Sequence, residues 1–451
     1  MALAVVIILL VIGSLLFHFL SPWWFTPIAS NWGTVDTTID ITFWVTGVVF
    51  VLINGFLAYC VIRFRHKKDG RAHYEPENKK LEAWLVGITS IGVAAMLAPG
   101  LFVWAKFVEV PEGAAEVEAL GRQWNWSFRY PGDDGRFGDT DVKHISVENP
   151  FGLNPDDPDG QDDVLVSGAE MRLPLNEPVK LLLRSTDVLH NFTVPQFRVK
   201  MDLVPGMVTY MWLTPTQTGE FEILCEELCG VAHYAMRNRV IVNEPDEFNN
   251  WLAQQPTFAE TQVSGTGGPG QGNAMFAMCA GCHGAGGQGN PAMNAPAIAG
   301  LDSWYLTRQL EGFKSGKRGT HADDVYGKQM APMAASLTTE AAIRNIAAHI
   351  SALPAQSSEK TVIGNVDNGR RLYTTCSSCH GPDGSGIWSA GAPRLNGQDD
   401  WYLVRQLNNF RNGVRGVHKS DATGQQMAML SIMLKDEQSV NDVVAYINSL
   451  Q

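Results

Sequence analysis

Cys225–Glu226–Glu227–Leu228–Cys229–Gly230–Val231–Ala232–His233–Tyr234–Ala235–Met236 places two thiols, an imidazole and a thioether within a dozen residues. The thiols are four apart, and His233 and Met236 follow at steps of four and three, so a tight loop can turn all four side chains to one point. A second imidazole, His190, lies upstream in Asp187–Val188–Leu189–His190. Soft thiolate and thioether ligands with two imidazoles suit copper better than magnesium or calcium. A mononuclear site of two imidazoles, one thiolate and a weak axial methionine would leave one thiol over. Two thiolates could instead bridge two coppers, with one imidazole ending each side. A structural zinc site of two thiols and two imidazoles also fits the spacing, but gives the methionine no work.

The chain has 451 residues, enough for several domains. Its net charge of -12 argues against nucleic acid as a partner. Of seven cysteines, two lie in the loop above, four lie in two Cys-x-x-Cys-His motifs, and Cys60 sits in an apolar run.

Residues 1–20 are almost wholly apolar, and no Lys or Arg occurs before Arg63. A secretory signal opens with a basic region, so an uncleaved membrane helix is expected here in preference to a removed signal. A helical hairpin follows over 39–108, with apolar runs at Ile39–Ile62 and Trp84–Val108, the second interrupted by Pro99 and Gly100. Each is long enough to span a bilayer, which takes about 20 apolar residues. Between them stand Arg63, Arg65, Lys67, Lys68, Arg71, Lys79 and Lys80. Basic loops stay on the cytoplasmic side, so everything after Val108 is expected to be periplasmic or extracytoplasmic. Glu82, in Leu81–Glu82–Ala83–Trp84, opens the last run. A carboxylate is favoured at a helix N-terminus, and ionisable groups near membrane helices also mark proton paths.

The alternating aromatics of Gly121–Tyr130 predict a strand with one buried face. Short β-rich runs at Val179–Arg184, Val208–Leu213 and Glu220–Leu224, punctuated by Pro205–Gly206 and Thr218–Gly219, predict an antiparallel sandwich within 115–245. Asn154–Asp163 is expected to be a solvated loop, and His144, in a strand-like run, a structural or surface residue. Residues 255–272, Gly-rich at their end, predict a flexible linker.

An internal repeat follows, over 273–354 and 362–451. Cys279–Ala280–Gly281–Cys282–His283 returns as Cys376–Ser377–Ser378–Cys379–His380 at an offset of 97. The same offset carries Trp304–Tyr305 to Trp401–Tyr402, Arg318–Gly319 to Arg415–Gly416, His321 to His418 and Gln329–Met330 to Gln426–Met427. Cys-x-x-Cys-His is the c-type haem attachment motif: the thiols add to the vinyl groups and the histidine ligates iron. The second axial ligand should recur at the same offset. Met330 and Met427 do, whereas Met333 has Leu430 as its counterpart. Met/His ligation raises the haem potential, which suits an electron carrier. His321 and His418 are the rival pair, in basic polar loops near the surface or the haem propionates. Trp304 and Trp401 pack near the haem or simply in the core, and closing helices are expected at Glu340–Ala352 and Glu437–Leu450.

The Cys225–Met236 loop with its upstream Asp-Val-Leu-His resembles the CuA motif of cytochrome c oxidase subunit II, and the repeat resembles tandem class I cytochromes c. The resemblance covers nearly the whole chain. It implies a multidomain protein: N-terminal transmembrane helices, a β-sandwich cupredoxin domain and two all-α class I cytochrome c domains. In the family, Cys225 and Cys229 would bridge two coppers, His190 and His233 would be terminal ligands, Met236 a weak ligand and Glu227 a ligand through its carbonyl. The Glu227 carboxylate would also hold magnesium at the subunit I interface. Trp124 would be the electron entry to CuA, and Glu82 the mouth of the K proton channel. The chain departs from the family at Arg122 and Asn125, where His and Tyr are common, which puts the usual docking of a soluble cytochrome in question. The implied function is that of the electron-accepting subunit of a proton-pumping terminal oxidase. It would carry two haems c, with subunit I and subunit III as partners and a cytochrome c or a quinol-oxidising complex as donor. The competing reading is a membrane-tethered CuA/dihaem electron-transfer subunit of a non-oxygen reductase, such as a nitric oxide reductase.

Overall fold

The computed structural model describes residues 2–21, 26–66, 70, 76–146, 149–167, 170–264, 269–355 and 359–450. Lys67, Lys68 and Arg71 of the basic loop lie outside them.

Three helices open the chain: α1 (Ala2–Leu20), α2 (Gly33–Arg63) and α3 (Lys79–Val108). All three are long and apolar enough to cross a membrane. Helices α2 and α3 start several residues before the apolar runs that predict them, at Gly33 and Lys79. Hydropathy marks only the stretch that lipid would cover, whereas the backbone ladder continues into the polar ends; the Asn78 side chain caps α3 by accepting from the Leu81 amide at 3.0 Å. Ala4 and Ile7 of α1 cluster with Ala58 and Val61 near the far end of α2, so the two helices run antiparallel.

The connection from α1 to α2 is fastened to the β domain. The Ala29 amide donates to the Gln196 carbonyl and the Thr216 amide to the Ala29 carbonyl, both at 2.9 Å. The Trp32 indole donates to the Trp212 carbonyl at 2.9 Å, and Arg198 pairs with Asp36 at 2.6 Å. At the end of α3, Tyr210 donates to the Val108 carbonyl and the Trp212 indole to that of Lys106. One end of the helical set therefore carries the β domain, and Arg63, Arg65, Lys79 and Lys80 lie at the other.

Ten strands follow among the described residues: β1 (Ala115–Arg122), β2 (Asn125–Tyr130), β3 (Val164–Ser167), β4 (Met171–Pro174), β5 (Val179–Ser185), β6 (His190–Thr193), β7 (Lys200–Leu203), β8 (Thr209–Leu213), β9 (Gly219–Leu224) and β10 (Arg237–Asn243). They form two five-stranded sheets, ordered β3-β2-β1-β5-β8 and β4-β10-β9-β6-β7. The sheets are mixed and not purely antiparallel, because β1 pairs with β5 and β10 with β4 in parallel. In β5 the predicted alternation is clear: Val179, Leu181 and Leu183 are buried, while Lys180 and Arg184 turn outward to Glu116 and Glu118.

Gly121–Tyr130 is a hairpin and not one strand, turning at Gln123–Trp124, and β2 is buried on both faces. The chain between β2 and β3 explains the second buried face. Its Phe151 and Leu153 cluster with Leu120 and Phe258, and Arg129, fully buried, pairs with Asp163 at 2.7 Å and Glu118 at 3.1 Å. The end of the expected solvated loop, Asp163, is thus part of the interior, while His144 lies in a 3-10 turn and not a strand.

Helix α4 (Pro245–Leu252) closes the sandwich. The expected flexible linker is largely helical among the described residues, in α5 (Phe258–Ser264) and the start of α6 (Pro269–His283). The Phe258 side chain, fully buried under the hairpin, anchors it.

Each repeat copy is a four-helix module. The first holds α6, α7 (Ser303–Lys314), α8 (Val325–Ala335) and α9 (Glu340–Ala352); the second holds α10 (Val366–His380), α11 (Asp400–Arg411), α12 (Ala422–Ser431) and α13 (Glu437–Asn448). First and last helices cross in both. At the crossing stand Gly272 and Gly369, where a Cβ would come within 2.3 Å of the Asn345 carbonyl oxygen and 2.0 Å of that of Asp442. The modules face each other about a local twofold axis: Arg318 donates to Gln406 while Arg415 donates to Gln309, and Arg308 reaches the Gly391 carbonyl while Arg405 reaches Asn294.

Candidate electron-transfer site

The Cys225–Met236 loop leaves β9 and re-enters β10, neighbours in one sheet, and β6 delivers His190 from the same sheet. The Cys225 and Cys229 sulfurs lie 3.7 Å apart. His190 Nδ1 is 3.9 Å from the Cys225 sulfur, and His233 Nδ1 is 3.5 Å from that of Cys229. Met236 Sδ lies 3.8 Å from Cys229, and the Glu227 carbonyl oxygen 3.2 Å from Cys225. All six residues expected to bind metal are thereby gathered around one sulfur pair. Two thiols with one imidazole beside each match a two-copper set. In a tetrahedral zinc site the thioether and the carbonyl would have no place.

Supporting groups fix the ligands. Asp187 Oδ1 holds His190 Nε2 at 2.8 Å, so Nδ1, on the side of the thiols, is the nitrogen that could take a metal, and the carboxylate also accepts from the Gln123 and Val188 amides. Desolvation pushes the His190 imidazolium down, but its hydrogen bonds to Asp187 and Cys225 outweigh this and raise its pKa. The hydrogen bond between the two thiols pulls Cys225 down and holds Cys229 up, so the pair offers one thiolate readily.

Trp124, only 4% exposed, sits at the hairpin tip, and its indole donates to the carbonyl of Cys229 at 3.0 Å. The second module meets this tip. Gln426 Nε2 donates to the Trp124 carbonyl, Arg122 stacks on Trp388 at 5.3 Å, and Cys379, Met429 and Leu430 pack against the sandwich core. Lys419 pairs with Glu220 at 3.7 Å. Glu82 is placed elsewhere, exposed in the first turn of α3 at the end of the helices remote from the sandwich.

In the modules, His283 and His380 are buried, and each donates from Nδ1 to a proline carbonyl at 2.8 Å, Pro296 and Pro393 respectively. Burial pushes both imidazoliums down. With Nδ1 donating to the carbonyl, Nε2 is the nitrogen each ring could offer to a haem iron. Cys279 and Met330 line one core and Cys376 the other, while Met427 is half-buried on α12. The buried Trp401 indole nitrogen has no protein partner, which fits an anionic propionate. His321 and His418 line an open cleft between the modules with Lys317, Arg318, Arg415 and Lys419, outside either core.

Several contributors are missing from the motif reading. Pro296 and Pro393 recur at the offset of 97, so the repeat itself could have shown them, and Asp187 stands three residues before His190. Gln426 recurs too, as the counterpart of Gln329, but the repeat cannot show its contact, because its partner lies 302 residues away.

Comparison with known proteins places residues 115–244 on the family model for the periplasmic domain of cytochrome c oxidase subunit II, and residues 270–354 and 366–451 each on that for cytochrome c. The alternative cytochrome c oxidase subunit 2 of Bradyrhizobium diazoefficiens is 61% identical over 259 residues, which span 57% of this chain and 94% of that protein. The cytochrome c oxidase subunit 2 of Cereibacter sphaeroides is 28% identical over 47% of this chain and 75% of its own length. Among solved structures, cytochrome c4 from Pseudomonas stutzeri is 26% identical and covers 41% of this chain and 100% of its own, with a TM-score of 0.34.

Proposed function

Because the chain belongs to the cytochrome c oxidase subunit II family, we propose that it is the electron-accepting subunit of a proton-pumping terminal oxidase, anchored in the bacterial inner membrane with its sandwich and cytochrome modules on the periplasmic side. A dinuclear copper centre and two covalently attached haems c, when bound, supply one-electron carriers between an outside donor and the oxygen-reducing subunit I. The observation that carries this reading is the gathering of His190, Cys225, Glu227, Cys229, His233 and Met236 around one sulfur pair.

The residues' own work is positioning. Asp187 orients His190, Trp124 and Gln123 bond the Cys229 carbonyl, and Pro296 and Pro393 fix the tautomers of His283 and His380. Cys279, Cys282, Cys376 and Cys379 would attach the haems, with Met330 and Met427 as second axial ligands. Trp124 is the entry to copper, and Glu227 offers its carboxylate to magnesium at the subunit I interface. The packing of α1 on α2 supports a retained membrane helix. The basic residues remote from the sandwich support a cytoplasmic α2–α3 turn, with Glu82 at the entrance of a proton path into subunit I. Subunit III completes the assembly.

Native purification through a C-terminal tag, followed by oxygen uptake with a chemical electron donor, tests the reading. A co-purifying haem-copper core with cyanide-sensitive oxygen uptake is expected. A core that reduces nitric oxide and not oxygen would overturn it. In the same assay Glu82→Gln should slow turnover with copper content intact; unchanged turnover would leave Glu82 as a helix-terminal carboxylate.

A further inference from the structure

The local twofold axis between the modules is broken at one pair of arginines. Arg308 on α7 and Arg405 on α11 are counterparts at the offset of 97, and each crosses to the other module. Arg405 ends on the side chain of Asn294, which adopts the left-handed region at φ 57°, and its guanidinium stacks on Tyr326 at 4.2 Å. In the second module the counterparts of Asn294 and Tyr326 are Gly391 and Thr423. With no side chain in the way, Arg308 donates to the Gly391 carbonyl at 2.6 Å, and a Cβ on Gly391 would stand 3.1 Å from its Nη1.

That carbonyl belongs to the loop that holds a haem-motif histidine. Gly391 caps the 3-10 turn Trp388–Ala390, Ile387 and Ala392 bridge around it, and Pro393, two residues on, accepts from His380 Nδ1 at 2.8 Å. The same loop meets the copper domain: a Gly391 Cβ would lie 3.7 Å from Asn125 Nδ2, and Trp388 stacks under Arg122. The Arg308 head therefore sits where three domains join. Its Nε is buried with no hydrogen-bond partner among the described residues, and desolvation pushes its pKa down against the pull of Tyr305 and Asp421.

We propose that Arg308, contributed by the first module, is a positioning residue for electron transfer: its charge against the Gly391 loop biases the electron toward the second module's haem, so that the pair runs from the first module to the second and on to copper. The inference rests on the dihaem electron-transfer role proposed above. A cation held where the dielectric is low favours the reduced state of a carrier beside it, because the oxidised iron bears one more positive charge. Arg308 brings that charge to the loop of His380 in the second module. Arg405 gives the first module less, because its head is drawn to the Asn294 side chain and laid on Tyr326. In the step itself one electron moves. The first iron passes from ferrous to ferric, the second from ferric to ferrous, and no bond or proton is exchanged.

The test uses the purified full-length protein in its oxidase complex, inhibited with cyanide, in a potentiometric titration that follows both haems by visible and near-infrared absorbance. Met427→Ala, which removes one methionine–iron band, assigns the two waves. Arg308→Gln is expected to lower the second haem alone and to shift the electron distribution between the haems about tenfold toward the first, which for one electron is about 59 mV. Arg308→Lys keeps the charge and should recover most of that shift. Arg405→Gln should shift the distribution by less than about threefold. Gly391, at φ 64°, has the left-handed backbone that Asn294 adopts, so Gly391→Asn is accommodated; it should draw the guanidinium off the carbonyl and reproduce part of the Arg308→Gln shift. Retained methionine–iron bands show that each variant is folded around its haems. A wild-type distribution in Arg308→Gln, an equal shift from Arg405→Gln, or no recovery with lysine would overturn the proposal. A wild type with fewer than two haem waves would instead remove the dihaem reading, and this inference with it.

Discussion

The first and second cytochrome modules share a sequence plan but not a set of neighbours. Both hold a buried histidine on a proline carbonyl and cross their terminal helices at a glycine. They differ in what surrounds that plan. The second is buttressed by two buried carboxylates: Asp400 accepts from Thr361, Val362 and Asn448, and Asp442 from Asn365, Asn368 and Gln438. The first has Ser303 and Asn345 at these positions. The second also seats on the copper domain, where the first presents solvent-exposed methionines. Duplication thus supplied two modules of one plan. Outside the haem motif they differ, and among the described residues it is the second whose Trp388 and Gln426 meet the sandwich.

The largest expected effect tests whether the modules are equal at the iron. Met330→Ala should remove one of two methionine–iron charge-transfer bands and lower that haem's potential by an amount on the order of a few hundred millivolts, with the other haem unchanged. Met427→Ala should do the converse. Redox titration followed by near-infrared absorbance reads both; loss of both bands in either variant would break the modular assignment.

A smaller effect tests the difference in buttressing. Asp400→Ala leaves several buried donors without a partner and should destabilise the second module by about 3 kcal/mol. Denaturant unfolding in a Met330→Ala background reports this, since only the second module then carries the methionine–iron band. Burial raises the Asp400 pKa, but the hydrogen bonds from Val362, Thr361 and Asn448 outweigh it and hold the carboxyl below its ordinary value. A depressed carboxyl stabilises above the unfolded pKa, near about 4, and the contribution is lost as pH falls through the lower folded value. Acid sensitivity below about pH 4 should therefore shrink in Asp400→Asn; an unchanged acid limb would remove Asp400 from the account.

The smallest expected effect concerns the seat on the copper domain. Gln426→Ala removes one hydrogen bond to the Trp124 carbonyl and should loosen the second module by about 1 kcal/mol. Faster tryptic cleavage at Lys419, beside the seat, would show it. Equal rates would mean that the Trp388 and Leu430 contacts suffice.

Much of this protein was legible as sequence wherever function depends on local spacing. Cys225, Cys229, His233 and Met236 share one loop, and each Cys-x-x-Cys-His is a single helical turn, so covalent proximity dictates the geometry. Apolar runs marked the three N-terminal helices because hydropathy is a property each helix carries by itself. Reading stopped where the partner is remote. Gly121–Tyr130 became a hairpin buried on both faces only because Phe151, Leu153 and Phe258 cover it. The expected linker became helix at a point where Phe258 finds a pocket.

By itself, then, the sequence determined the thiol–imidazole–thioether loop, the repeat and three long apolar helices, since these rest on residues a few positions apart or on composition. Tertiary structure alone decided which module meets Trp124 and which face the other keeps open. Copies related by an offset of 97 have nearly the same motifs, so nothing local can rank them. The choice rests on side-chain complementarity between Arg122 and Trp388 and between Trp124 and Gln426, groups brought together only when domains hundreds of residues apart have folded and packed.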